Sequence, residues 1–97
     1  MEQNLDSVMR ELYQLILQRK AELPQGSYTA YLFQKGQDKI LKKVGEEAAE
    51  VIIASKNNAP NEIIYESADL LYHLLVLWAS HGVEPRAVAE ELFSRRK

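Results

Sequence analysis

Two short acidic motifs are the residues of this 97-residue chain best suited to chemistry. One is Glu46-Glu47-Ala48-Ala49-Glu50; the other is Glu66-Ser67-Ala68-Asp69. On a helix, residues three apart lie about 60° from each other on adjacent turns. Glu47 and Glu50 therefore share one face, and so do Glu66 and Asp69. Carboxylates gathered in this way repel, by about 4 kcal/mol for a pair about 4 Å apart at an effective dielectric near 20. Protonation relieves the repulsion, and so does a hard divalent cation seated between the acids. Mg²⁺ takes oxygen ligands, keeps several waters and commonly binds together with substrate phosphates. Glu47, Glu50, Glu66 and Asp69 are accordingly read as a Mg²⁺ ligand set.

Basic residues flank the first motif: Lys35, Lys39, Lys42 and Lys43. Lys43 falls at nearly the angle of Glu47 and Glu50. It suits either a phosphate contact or ordinary helix pairing with Glu46 and Glu47. His73 lies one turn after Asp69 on the same stripe. It reads first as a satisfied core histidine, with a role as partner to a ligating carboxylate as the functional alternative. Tyr72 and Trp78 read as core or interface, and His81 as a helix cap. No Walker or dinucleotide glycine motif is present, and no Ser-His-Asp or Cys-His set is evident. A di-iron carboxylate bundle would need Glu-x-x-His on two helices, whereas the residue three after Glu66 is Asp69.

The acids need helices to hold them, and the apolar periodicity supplies four. Leu5, Val8, Met9, Leu12, Leu15, Ile16 and Leu23 recur at three- and four-residue spacing, predicting a first helix over 5–23 that Pro24 and Gly26 end. Residues 27–36 hold Tyr28, Thr29, Tyr31 and Phe33, which would suit a strand, but a lone strand has no partner. This stretch is read as a loop with room for a helical turn. A second helix spans about 38–57, with Ile40, Leu41, Val44, Ala48, Val51 and Ile52 on its apolar face. After the break Asn57-Asn58-Ala59-Pro60, Asn61 suits the cap of a third helix running to about residue 80. That helix is apolar nearly all round, which predicts burial in a core or at a subunit contact. The short break makes the two helices antiparallel neighbours, so the acidic pairs can face each other. Glu84 and Pro85 open a fourth helix, with Arg95, Arg96 and Lys97 at its C-terminal dipole. The expectation is an all-α, four-helix single domain over 1–97.

Composition excludes several classes. A net charge of −2 disfavours nucleic-acid binding. The absence of cysteine excludes disulfides and thiolate zinc sites. The longest apolar run, 74–79, is far too short for a bilayer span, and the polar start is unlike a signal peptide. The reading is a cytoplasmic protein with no membrane and no nucleic-acid partner. So few residues make a lone copy marginal, which favours self-association.

Taken together, Glu46-Glu47-x-x-Glu50 and Glu66-x-x-Asp69 resemble the metal motif of the MazG-like all-α nucleotide pyrophosphohydrolases. The flanking words are Ser27-Tyr28-Thr29-Ala30, Leu32-Phe33, Lys42-Lys43-Val44-Gly45 and Leu70-Leu71-Tyr72-His73-Leu74-Leu75-Val76. They look like those of the phosphoribosyl-ATP pyrophosphatase family. The resemblance implies Mg²⁺-dependent cleavage of phosphoribosyl-ATP between its α and β phosphates, in histidine biosynthesis, by a homodimer. On that footing Glu47, Glu50, Glu66 and Asp69 hold metal, while Glu46, about 100° from Glu47, orients the water or binds a further ion. Lys39 and Lys43 neutralise phosphates, and Tyr28 and Thr29 contact the substrate. Two other readings stay open: housecleaning of simple (deoxy)nucleoside triphosphates, and a non-catalytic helical interaction module.

Overall fold

The computed structural model describes residues 3–96, which are all-α with five helices. α1 spans Leu5–Glu22, α2 Tyr28–Lys35, α3 Gln37–Lys56, α4 Pro60–His81 and α5 Pro85–Ser94. Local chemistry sets most ends. Asn4 caps α1 by accepting the Ser7 N–H at 2.9 Å, and the Ser7 hydroxyl accepts the Asn4 N–H in return. Pro60 and Pro85 each occupy the first turn, where a missing N–H costs nothing. Gly82 ends α4 with φ 71°, a left-handed conformation that favours glycine.

Two expectations change. Residues 27–36 are not a loop: they hold the two-turn helix α2. The Ser27 hydroxyl accepts the Ala30 N–H at 3.1 Å, and Ala30 and Leu32 are driven into the core. The count is therefore five helices rather than four. The cap of α4 is Ala59, not Asn61, because Pro60 with its fixed φ starts the helix earlier. Within one chain α4 buries Leu75, Val76 and Ala79 in the core, while Ile64 and Tyr65 near its start are exposed. Of the basic C-terminal residues, Lys97 lies outside the described residues.

α3 and α4 form the most extensive pairing, an antiparallel hairpin, with α1 and α2 packed against it. The core gathers Tyr13 and Ile16 of α1, Leu32 of α2, Ile40 of α3, and Leu75, Val76 and Ala79 of α4. Two polar contacts pin α1 to the far end of α4. The Tyr13 hydroxyl donates to the Val83 carbonyl at 2.6 Å, and the Lys20 ammonium donates to the Ala79 carbonyl at 3.0 Å.

Candidate active site

The two acidic motifs do meet across the α3–α4 hairpin. Glu47 is buried, Glu66 and Asp69 are half-buried, and Glu46 and Glu50 are exposed. Partial burial, with the charges of Glu50, Glu47, Asp69 and Glu62 nearby, holds the Glu66 carboxyl above its ordinary value. The smaller, electrostatic part of that shift comes from acids on both helices. Lys43 answers part of the charge: its Nζ lies 3.2 Å from Glu47 Oε2 and 3.5 Å from Glu46 Oε1. Burial works against the Lys43 ammonium, but its hydrogen bond to Glu47 and the surrounding charges raise its pKa overall. One ammonium against five acids leaves the cluster strongly negative.

Ligand atoms of Glu47, Asp69 and His73 all lie within 4.8 Å of one another. The imidazole, however, is already committed. His73 Nδ1 lies 2.8 Å from the Asp69 carbonyl oxygen, which can only accept, so Nδ1 carries the proton. Nε2 is hydrogen-bonded to the Tyr28 hydroxyl at 3.0 Å. The donors left for an ion are carboxylate oxygens, those of Glu47 and Asp69 with Glu50 and Glu66 beside them. That all-oxygen set fits a hard cation such as Mg²⁺.

α2 lies over the site. Tyr28 sits in its first turn, and burial, opposed by Lys43 and reinforced by Tyr72, Asp69 and Glu47, raises its phenol. The Thr29 hydroxyl hydrogen-bonds the Tyr72 hydroxyl. Burial raises the Tyr72 phenol despite that bond, with Asp69 adding to the effect. Both phenols therefore stay protonated at neutral pH. The hydroxyls of Tyr28 and Thr29 are engaged within the chain, tying α2 to α4. The Tyr28 ring, 46% exposed, borders a cleft of about 540 Å³ with Tyr31, Gln25, Ser27 and Gln34. The Tyr28 and Tyr31 rings stack at 6.1 Å, and Lys35 and Lys39 stand 5.8 and 5.9 Å from the centre of Tyr31. Lys39 is thus placed toward the cleft rather than on the acids.

Sequence spacing found the acids and Lys43. It did not find the chain Tyr28–His73–Asp69, although the position of His73 one turn after Asp69 was a partial signal.

The chain matches the family model described as phosphoribosyl-ATP pyrophosphohydrolase over residues 9–96. It is 58% identical over 90 residues to the phosphoribosyl-ATP pyrophosphatase of Pelotomaculum thermopropionicum, covering 93% of this chain and 92% of that protein. It is 60% identical over 87 residues to the phosphoribosyl-ATP pyrophosphatase of Lactiplantibacillus plantarum, covering 90% and 82%. It is 64% identical over 70 residues to the histidine biosynthesis bifunctional protein HisIE of Bacillus subtilis, covering 72% of this chain but 34% of that larger protein. A match that reaches through all five helices and both acidic pairs makes this chain a member of the phosphoribosyl-ATP pyrophosphohydrolase family.

Proposed function

We propose that this chain hydrolyses phosphoribosyl-ATP to phosphoribosyl-AMP and pyrophosphate, the second step of histidine biosynthesis, with Mg²⁺ as cofactor. The observation that carries the proposal is the approach of Glu47 on α3 and Asp69 on α4, whose ligand atoms lie within 4.8 Å of each other, with Glu50 and Glu66 close enough to act on one another's charge. Family membership gives that site its substrate. The names carried by the relatives identify the nucleotide.

Glu47, Glu50, Glu66 and Asp69 would hold the metal. When bound, Mg²⁺ supplies neutralisation of charge building on the phosphate oxygens and lowers the pKa of water. Glu46 is exposed beside Glu47, held by Lys43, and orients the attacking water or takes up its proton. Water adds to a phosphorus of the anhydride linking the α and β phosphates, the bridging P–O bond breaks, and pyrophosphate leaves. Lys43, braced between two carboxylates, and Lys39, facing the cleft, offset phosphate charge. Tyr28 presents its ring to the nucleoside part, and Thr29 fixes α2 through Tyr72. A cleft of about 540 Å³ lies within the size range of small-molecule sites.

The functional unit in this reading is one domain over 1–97, working as a homodimer in the cytoplasm. Ile52, Ile53, Ile64 and Tyr65 are each more than half exposed around the loop end of the α3–α4 hairpin. Covering them with a second copy removes apolar surface from water. No helix among the described residues is long and apolar enough to cross a membrane. Sedimentation at micromolar concentration should give twice the 11.1 kDa chain mass.

The test is pyrophosphate release from phosphoribosyl-ATP against dATP, dUTP and dCTP, with and without Mg²⁺. Preference for phosphoribosyl-ATP, lost on chelation, is the expected outcome. Equal or better turnover of simple triphosphates would move the chain to nucleotide housecleaning. No release from any of them would return it to a non-catalytic interaction module.

A further inference from the structure

His73 is a polar residue that the chemistry above does not use, yet it is 98% buried within a largely apolar helix, with only 2% of its surface exposed. A leucine would fill that volume without the cost of desolvating an imidazole. What the imidazole adds is direction. Its Nδ1–H donates to the Asp69 main-chain carbonyl at 2.8 Å, and the same nitrogen stands 3.4 Å from the carboxylate oxygen Oδ1 of Asp69, a close electrostatic contact. Its Nε2 is hydrogen-bonded to the Tyr28 hydroxyl at 3.0 Å. The ring is also clamped edge-on, with its centroid 4.9 Å from that of Tyr72 and 5.8 Å from that of Tyr28. No other polar contact steers the half-exposed Asp69 side chain among the described residues.

We infer that His73 is a positioning residue: with its tautomer fixed by the Asp69 carbonyl and by Tyr28, it sets the orientation of the Asp69 carboxylate for cation binding. The inference rests on the metal reading of the acidic cluster. It also makes α2 part of the metal site, because the Tyr28 hydroxyl that fixes the imidazole comes from that helix.

Amide side chains separate the two arms of the ring. In His73→Asn an amide N–H can stand near the place of Nδ1 and keep the Asp69 contact. In His73→Gln the amide reaches toward Tyr28 and the Asp69 contact is lost. His73→Leu keeps volume and neither arm. The probe is Mn²⁺, a hard ion suited to oxygen ligands and read directly by electron spin resonance, titrated into the whole chain without nucleotide. The expected result is a loss of affinity of about 10- to 100-fold for His73→Gln and His73→Leu, the range for removing a group that orients a metal ligand. His73→Asn should stay within about threefold of the unsubstituted chain. With phosphoribosyl-ATP, the Gln variant should need proportionately more Mg²⁺ for half-maximal rate, with KM for the nucleotide unchanged at saturating metal. If Leu fails to fold, the Asn–Gln pair still decides. Equal Mn²⁺ affinity in the Gln variant overturns the inference, and so does an Asn variant as weak as Gln, which would point to packing alone. No Mn²⁺ uptake by the unsubstituted chain would overturn the metal reading itself, a separate result.

Discussion

The two halves of α4 put one helix to opposite uses. The C-terminal half carries Leu75, Val76 and Ala79 into the core with Tyr13, Ile16 and Ile40, and no buried side-chain nitrogen or oxygen among the described residues lacks a partner. The N-terminal half carries Glu66 and Asp69 toward Glu47 and Glu50, where burial first and the neighbouring like charges second hold the Glu66 carboxyl above its ordinary value. Burial of the first half lowers the free energy of the fold. Gathering acids in the second raises it, a cost that the cation of the proposed function would relieve.

The sharpest way to break this contrast is at the acids. Asp69→Asn and Glu50→Gln should each reduce kcat/KM by about 10³-fold, equivalent to about 4 kcal/mol of transition-state stabilisation. Circular dichroism should be unchanged, and without metal the melting temperature should not fall. Near-normal turnover in the Glu50 variant would remove Glu50 from the ligand set.

Substitution in the C-terminal half should do the reverse. Leu75 is fully buried, and Leu75→Ala should cost about 2–5 kcal/mol of folding stability through lost burial and the cavity left behind. Denaturant unfolding reads this directly. The rate per folded molecule should change far less than in the Asp69 variant. A large fall in kcat with unchanged stability would mean that the two halves are not separable.

A smaller effect tests the bridge between them. Ser27→Ala removes the side-chain cap of α2 and should cost about 1 kcal/mol. Because α2 carries Tyr28, KM for the nucleotide should rise more than kcat falls. An unchanged KM would separate α2 from substrate binding.

The acids were legible in the sequence because helical geometry converts spacing into position with no further information. Glu47 and Glu50, or Glu66 and Asp69, needed only a helix beneath them. The antiparallel meeting of the two pairs followed from the short break at 57–59. α2 was not legible because its sequence, Tyr28 to Lys35, mixes aromatic and β-branched residues that suit a strand. Its helicity is decided by the burial of Ala30 and Leu32 against helices distant in sequence. The same distance hid the partner of His73: Tyr28 lies 45 residues away, on the helix that the periodicity missed. Which side of α4 the chain itself covers was not legible either. An apolar circumference shows what wants covering, and one chain leaves Ile64 and Tyr65 open.

The smallest expected effect measures the combined cost of burying Glu66 and holding it beside the other acids. A carboxyl whose pKa is raised in the folded state binds more protons folded than unfolded between its ordinary value of 4.5 and the raised one. Stability of the metal-free chain should therefore decline as pH rises through that window, and level off above it. Glu66→Gln removes the titrating group and one of the repelling charges. In chelator, the Gln variant should melt at or above the unsubstituted chain at neutral pH, with the difference shrinking as pH falls below the ordinary carboxylate value. Saturating Mg²⁺ should reverse the order, because the unsubstituted chain then gains binding energy that the variant lacks. A Gln variant less stable than the unsubstituted chain in chelator would show that Glu66 is held by attraction rather than against repulsion. The two halves of α4 would then both be stabilising, and the cation would no longer be needed to explain why the acids meet.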